Sequence, residues 1–275
     1  MSEYWWNALI KGVLEGFTEF LPISSTGHLI LVRDFLPLTA DSSRVTTLNA
    51  LFDIVIQLPA ILAIVILYRH RLWQSVRNLP SQVEPRRFWT GLFLAFLPAA
   101  VIGILFHRQI EVALESPRPV ALALIVGGVV LILVEYVRTR NAVSRAEDVS
   151  IPVAFVIGVF QCLALIPGVS RSGATIVGGR LSGLNRTAAA EFSFFLALPT
   201  MVGACVYKMF QAYKDICWSS DGPIILIGCV ASFVTAIVVA YWFIRFLQRH
   251  SLAVFGWYRI AIGLTTLILA HIFFK

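Results

Sequence analysis

Glu15-Gly16-Phe17-Thr18-Glu19-Phe20-Leu21-Pro22-Ile23-Ser24-Ser25-Thr26-Gly27-His28 decides how this chain folds, and Pro167-Gly168-Val169-Ser170-Arg171-Ser172-Gly173-Ala174-Thr175 answers it later in the sequence. Both set charges, hydroxyls and glycines inside otherwise apolar sequence. An ionisable side chain at mid-bilayer costs about 2.5–3.5 kcal/mol on insertion scales. Glu15, Glu19 and Arg171 together would cost ~8–10 kcal/mol against lipid, comparable to the whole stability of a small domain. They must face one another, water or a ligand, and the rest of the chain reads as their enclosure.

Composition supports a membrane setting. Of 275 residues, 58% are hydrophobic and 13% charged, where a soluble domain carries about 25% charge. A single integral membrane domain is expected, with no separate soluble domain. The net charge of +7 raises nucleic-acid binding as an option. Most of the Lys and Arg residues fall instead in short loops between apolar spans, where topology demands them, and they form no basic stripe. No nucleic-acid partner is expected. Cys162, Cys205, Cys217 and Cys229 show no Cys-x-x-Cys spacing and read as small hydrophobes, not as a disulfide frame or zinc site. The N-terminus carries Glu3 and no basic region, so a cleaved signal peptide is not expected.

The first apolar run is interrupted by Lys11, Glu15 and Glu19 and stopped by Pro22. After the Ser-Ser-Thr-Gly turn, 29–36 is too short to cross a bilayer. Helix, polar turn and short helix predict a re-entrant hairpin over 4–36. Spans follow at 50–68, 88–106 and 120–137, separated by a basic loop at 69–87 and a mixed-charge loop at 107–119. A basic linker occupies 138–150, and the pattern restarts. A hairpin over 151–184, broken by Gln161 and Pro167, precedes spans at 192–207, 223–244 and 253–274.

Internal matches support two repeats, 1–140 and 150–275. Gly12-Val13-Leu14-Glu15 matches Gly158-Val159-Phe160-Gln161, and at the same offset Ser24 and Gly27 match Ser170 and Gly173. Phe52, Leu58 and Pro59 match Phe192, Leu198 and Pro199. One hairpin plus three spans per half is odd, so the halves must have inverted topology, an arrangement that builds a site from broken helices near the midplane. The fold expected is an all-α polytopic membrane protein made of two inverted repeats. Loops 69–87, 138–150, 180–191 and 245–252 carry twelve Lys/Arg, against six in 33–49, 107–119 and 208–222. The richer set belongs in the cytoplasm, so the first hairpin enters from outside.

Glu15 and Glu19 are four apart and share a helix face. Two buried carboxylates so close need a shared proton or a cation; a hard divalent ion, Mg²⁺ or Ca²⁺, suits oxygen ligands and phosphate. Ser24, Ser25 and Thr26 open a helix. Capping explains one hydroxyl, and a helix N-terminus also receives anions. His28, three residues after Ser25, stands within reach of a nucleophilic hydroxyl, or is itself the nucleophile or the general acid. Gly168 to Thr175 has the glycine spacing of a nucleotide phosphate loop, but Ala174 replaces the required Lys and no strand precedes it, which excludes a nucleotide site. The anion logic survives: Gly168 and Gly173 bare the backbone, Ser170, Ser172 and Thr175 add hydroxyls, and Arg171 supplies a planar fork. Arg171 pairing with Glu19 is the alternative, compatible with an empty site. Asp53 and Gln57 border the site or the interface. Glu135 and Arg259, near span ends, are expected to snorkel.

These paired motifs, with Ala189-Ala190-Glu191-Phe192-Ser193-Phe194, resemble the bacitracin-resistance family of undecaprenyl-diphosphate phosphatases nearly end to end. The resemblance implies a bacterial inner-membrane hydrolase converting undecaprenyl diphosphate to the monophosphate. That reaction recycles the carrier lipid for peptidoglycan and other surface polymers and confers bacitracin resistance. It also implies a divalent-cation requirement and a site open to the periplasm. On this resemblance Glu15 and Glu19 serve the metal or proton transfer, Ser25 is the nucleophile with Ser24 and Thr26 beside it, and His28 is the acid/base. Arg171 with Gly168, Ser170, Ser172, Gly173 and Thr175 clamps the diphosphate. The rival class is a polyprenyl-phosphate flippase or transporter, since inverted repeats are common there. Homo-oligomerisation stays open.

Overall fold

The computed structural model describes residues 2–33, 35–41, 44–106, 109–110, 117–137, 143–212 and 217–273. Among them every regular element is a helix, and the one strand-like contact is a bridge between Val143 and Leu184. Hydrocarbon offers backbone groups no water, so a chain this apolar must satisfy them within helices.

Helix α1 (Ser2–Thr18) ends where the first motif begins to turn, and α2 (Ser25–Val32) carries the chain back. The expected span at 50–68 forms as two pieces, α3 (Val45–Val55) and α4 (Gln57–Leu67), meeting at Ile56. Pro59 explains the break: it has no N–H for the Val55 carbonyl, and its ring crowds that oxygen. The basic stretch 69–87, expected as a loop, opens with a helix, α5 (Arg69–Arg77). No Gly or Pro interrupts it before Pro80, and Leu72 anchors it by burial. Next come α6 (Val83–Leu105) and α7 (Pro117–Leu133), which tightens to a 3₁₀ turn at Val134–Tyr136. The loop expected at 107–119 lies mostly outside the described residues.

The second hairpin is α8 (Ile151–Cys162), a 3₁₀ turn at Leu163–Leu165, and α9 (Arg171–Leu181). Helices α10 (Arg186–Ala212), α11 (Trp218–Leu247) and α12 (Ala253–Phe273) complete the bundle. Among the described residues, five stretches are long and apolar enough to cross a membrane: Val45–Leu67, Val83–Leu105, Arg118–Tyr136, Arg186–Tyr207 and Asp221–Leu247. The sixth expected span, 253–274, qualifies as a shorter apolar helix over Ala253–Ile268. A 23-residue helix is about 35 Å long, enough for a hydrocarbon core of about 30 Å. Leu226, Val230, Val234 and Val238 form an exposed apolar stripe on α11, as a lipid-facing helix should. The chain is a multi-pass membrane protein.

Three helix pairs dominate the packing: α1 with α11, α6 with α8, and α7 with α12. Each joins a helix before residue 140 to one after 150. Small residues permit the approach. A side chain on Gly12 would strike the Gly228 backbone, and Gly128 and Gly256 face each other across α7 and α12. At one end, Arg71 bonds Glu147 (2.9 and 2.6 Å) and Glu191 (2.7 and 3.1 Å), tying α5 to the linker and α10. Burial alone would lower the Arg71 pKa; the bonds to Glu191 and Glu147 hold it above its ordinary value. Tyr68 donates to the same Glu191 at 3.2 Å, and burial with that carboxylate pushes the phenol up. Glu135 does not snorkel. It accepts both the Arg186 guanidinium (2.9 Å from Nε) and the Leu252 amide (3.2 Å).

Candidate active site

The two hairpin turns meet inside the bundle. Ser172 Oγ donates to the Leu21 carbonyl at 2.7 Å, joining residues 151 positions apart. Each turn places a serine in the left-handed region, Ser24 at φ 72° and Ser170 at φ 74°. A non-glycine residue there costs about 1–2 kcal/mol. Each serine also caps the following helix: Ser24 Oγ accepts from the Gly27 N–H (3.2 Å), and Ser170 Oγ accepts from that of Gly173 (3.1 Å). Two helix N-termini therefore point into one region, the geometry that receives anions. Gly168, at φ 92°, leads into the second turn where a Cβ would strike the Val120 carbonyl.

Glu19 is the hub. Its Oε2 accepts the Ser25 hydroxyl at 2.5 Å, and its Oε1 accepts Arg171 Nη2 at 2.9 Å. Three of the four residues expected to carry the chemistry are thus in one hydrogen-bonded chain. Arg171 is steered further by Nη1 donating to the Ser193 carbonyl (2.8 Å) and by Phe20, whose ring lies 5.9 Å beneath it. Its Nε is buried without a partner, a donor left over inside the protein. Thr175 donates to Ser193 Oγ (2.7 Å) and the Arg171 carbonyl (2.9 Å), while Ser172 shares a 3.0 Å contact with Ser170. These hydroxyls, expected to line the anion site, hold the turn and the guanidinium in place. Thr26 is half-buried at the start of α2.

His28 is not brought to Ser25. Its Nδ1 lies 2.7 Å from the Ser24 carbonyl and its Nε2 2.8 Å from the Tyr258 hydroxyl. The hydrogen-bond partner of the Ser25 hydroxyl is the Glu19 carboxylate.

Glu15 is wholly buried, and neither of its oxygens has a hydrogen-bond partner. Its charged neighbours are Glu19, Asp53 and Arg171. One turn earlier Lys11, also wholly buried, bonds Asn49 at 2.8 Å and Asp53 at 3.3 Å. Among the described residues no three of His, Cys, Asp and Glu converge to hold a metal unaided.

Arg259 overturns its expected role. It is 1% exposed and donates to five carbonyls: Pro22 (3.2 Å), Val169 and Gly168 (2.9 Å each), Ala123 (3.0 Å) and Leu124 (3.3 Å). One guanidinium therefore stitches both turns to α7. Side chains on Gly127 or Gly173 would collide with it. Ser193, Tyr258 and Arg259 were not singled out as site residues from sequence. Ser193 lay in a recognised motif without an assigned role. The Tyr258-Arg259 pair looks like an interfacial anchor until the carbonyls around it are seen.

The model of the family described as bacitracin resistance protein BacA matches residues 8–265. A Pseudomonas aeruginosa protein named undecaprenyl-diphosphatase is 49% identical over 266 residues, covering 96% of this chain and 94% of that protein. A Nitrosomonas europaea protein of the same name is 46% identical at 96% and 94% coverage. Undecaprenyl-diphosphatase 1 of Mesorhizobium japonicum is 46% identical over 95% of each chain. The converging turns, the Ser25–Glu19–Arg171 chain and this end-to-end likeness agree: the chain belongs to the BacA bacitracin resistance family.

Proposed function

We propose that this chain hydrolyses undecaprenyl diphosphate to undecaprenyl phosphate and inorganic phosphate, the reaction named in its relatives. The observation that carries the chemistry is the single carboxylate bridging Ser25 and Arg171. Glu19 takes the Ser25 proton as Ser25 Oγ bonds to the terminal phosphorus, and the bond from that phosphorus to the bridging oxygen breaks. Undecaprenyl phosphate leaves. Water then bonds to the phosphorus, the Ser25 ester breaks, and Glu19 returns the proton to Ser25. Arg171 turns its unspent Nε and the paired Nη groups toward phosphate oxygens, where fixed donors stabilise developing charge. Gly168, Ser170 and Gly173 shape the α9 terminus, and Ser24 and Thr26 that of α2.

The unpartnered oxygens of Glu15 beside Glu19 fit a divalent cation, Mg²⁺ or Ca²⁺, with phosphate and water completing its shell. When bound, it neutralises phosphate charge. The polyprenyl tail stays among the lipids. The chain acts in the bacterial inner membrane, its site open to the periplasm, and the loop charges support that orientation. Two inverted repeats, 1–140 and 150–275, account for the packing: α1–α11 and α8–α6 exchange under such a symmetry, and α7–α12 maps onto itself. The matched φ angles of Ser24 and Ser170 favour the same reading.

Phosphate release in detergent micelles tests the proposal, because hydrolysis needs no sealed compartment and transport does. Glu19→Ala, Ser25→Ala and Arg171→Ala should each lose at least ~10²-fold in kcat/KM, the scale of acid–base and electrostatic contributions. Near wild-type turnover in all three would sink it.

A further inference from the structure

The end of α11 that the loop charges assign to the cytoplasm carries rings and guanidiniums side by side. Its apolar stretch Asp221–Leu247 has 27 residues and is about 40 Å long. That matches a bilayer counted with its headgroups, about 40–45 Å, so the residues around Leu247 lie at the depth of lipid phosphates. Trp242, Phe246 and His250 recur every fourth residue, their ring centroids 4.9 Å and then 4.3 Å apart, the second pair stacked. Arg245 and Arg249, also four apart, flank that column on the same helix face. The chain turns after Leu247, where the amides of Arg249 (3.1 Å) and His250 (2.9 Å) both donate to the Phe246 carbonyl. A cavity of about 530 Å³ opens there, lined by Trp242, Arg245, Phe246, Gln248, Arg249 and His250. Arg245 and Arg249 are exposed, and the Arg245 guanidinium lies 4.3 Å from the Tyr241 ring centre. Among the described residues neither arginine has a carboxylate partner. Glu135, which reaches this turn by accepting the Leu252 amide, is paired with Arg186. Below the cavity, Val230, Val234 and Val238 lead up to Trp242 at the same four-residue interval, all of them exposed.

We propose that this face of α11 is a binding site for an anionic glycerophospholipid of the cytoplasmic leaflet. The phosphodiester accepts from Arg245 and Arg249, whose planar forks match phosphate oxygens. The glycerol level rests on Trp242 and Phe246, rings suited to the boundary between hydrocarbon and headgroup. An acyl chain runs down the valine stripe. Charge selects an acidic lipid over a zwitterionic one, and the stripe selects a lipid over free phosphate, which has no use for it. The site lies apart from the Ser25–Glu19–Arg171 chain and does not rest on the diphosphatase reading.

The test titrates purified protein in neutral detergent with dioleoylphosphatidylglycerol and, separately, with dioleoylphosphatidylcholine, counting bound lipid by native mass spectrometry. Wild type should bind the glycerol lipid at least ~10-fold more tightly, the scale set by two basic residues meeting an anionic headgroup. Arg245→Gln with Arg249→Gln should abolish that preference and leave choline-lipid binding within about twofold. Arg69→Gln with Arg77→Gln on α5, the same loss of charge on the same side of the membrane, should keep it. All the altered side chains are exposed, so lipid-free melting should stay within a degree or two of wild type. Should the first pair not fold, Arg249→Gln alone, beyond the end of the helix, should still lose the preference at least ~3-fold. Equal affinity of wild type for the two lipids, an equal loss in the α5 pair, or displacement of the lipid by millimolar glycerol phosphate would each overturn the proposal. The first removes selectivity, the second reduces it to bulk charge, and the third makes the cavity a free-phosphate site. Phosphate release from undecaprenyl diphosphate is measured on the same preparations, and its absence would count against the diphosphatase reading alone.

Discussion

Glu19 divides its two oxygens between a hydroxyl and a guanidinium, so the amide and the shorter acid should fail differently. Glu19→Gln keeps the shape but cannot take the Ser25 proton, and it deprives Arg171 of its directly bonded carboxylate. Removing one partner of a buried pair costs about 3–5 kcal/mol. Turnover should fall at least ~10²-fold, and the detergent melting temperature should drop with it. Glu19→Asp restores charge and should recover melting more than turnover. Glu15 predicts a different signature: Glu15→Gln should raise the Mg²⁺ needed for half-maximal phosphate release at least ~10-fold, the scale on which a lost ligand or its supporting partner weakens a metal site. Unchanged metal dependence would remove Glu15 from any cation site. Glu15, Glu19, Ser25 and Arg171 were legible because a polar side chain in apolar sequence must be explained. Arg259 was charged too, yet its meaning depends on carbonyls from residues 22, 123, 124, 168 and 169, which no local pattern brings together.

At the scale of the element, the paired serine turns oppose two effects. Losing the Ser170 side chain removes a cap worth ~1 kcal/mol, while the left-handed backbone penalises any Cβ by a similar amount. Ser170→Gly should therefore melt within a degree or two of wild type and Ser170→Ala several degrees lower. The reverse order would show that neither cap nor strain governs the turn. Both hairpins were readable from Pro22, Pro167 and the turn residues. Helix α5 was not, because charged residues with one buried leucine carry little apolar periodicity. The break at Ile56 was missed since the run 50–68 is apolar throughout; only Pro59 hinted at it.

For the whole molecule, orientation is the open quantity with the simplest measurement. Cys217 is exposed just before α11, on the face assigned to the periplasm. A thiol reagent that cannot cross membranes should label Cys217 in intact spheroplasts, and Ser81→Cys only after permeabilisation. The opposite result would invert the protein. Membrane class and the convergence of the hairpins followed from burial costs alone. Which helices pair did not, because an apolar face matches lipid as well as protein; the choice lies in small residues such as Gly12, Gly128, Gly228 and Gly256, whose partners are known only once the chains are side by side.

The guanidinium spanning both turns sits on α12, the last described helix to leave the ribosome. Until that helix inserts, the peptide oxygens it gathers have no common donor, and the strained serines have lost their brace. A nascent chain with every earlier helix threaded should therefore be catalytically silent. Competence would arrive at one stroke, with that insertion.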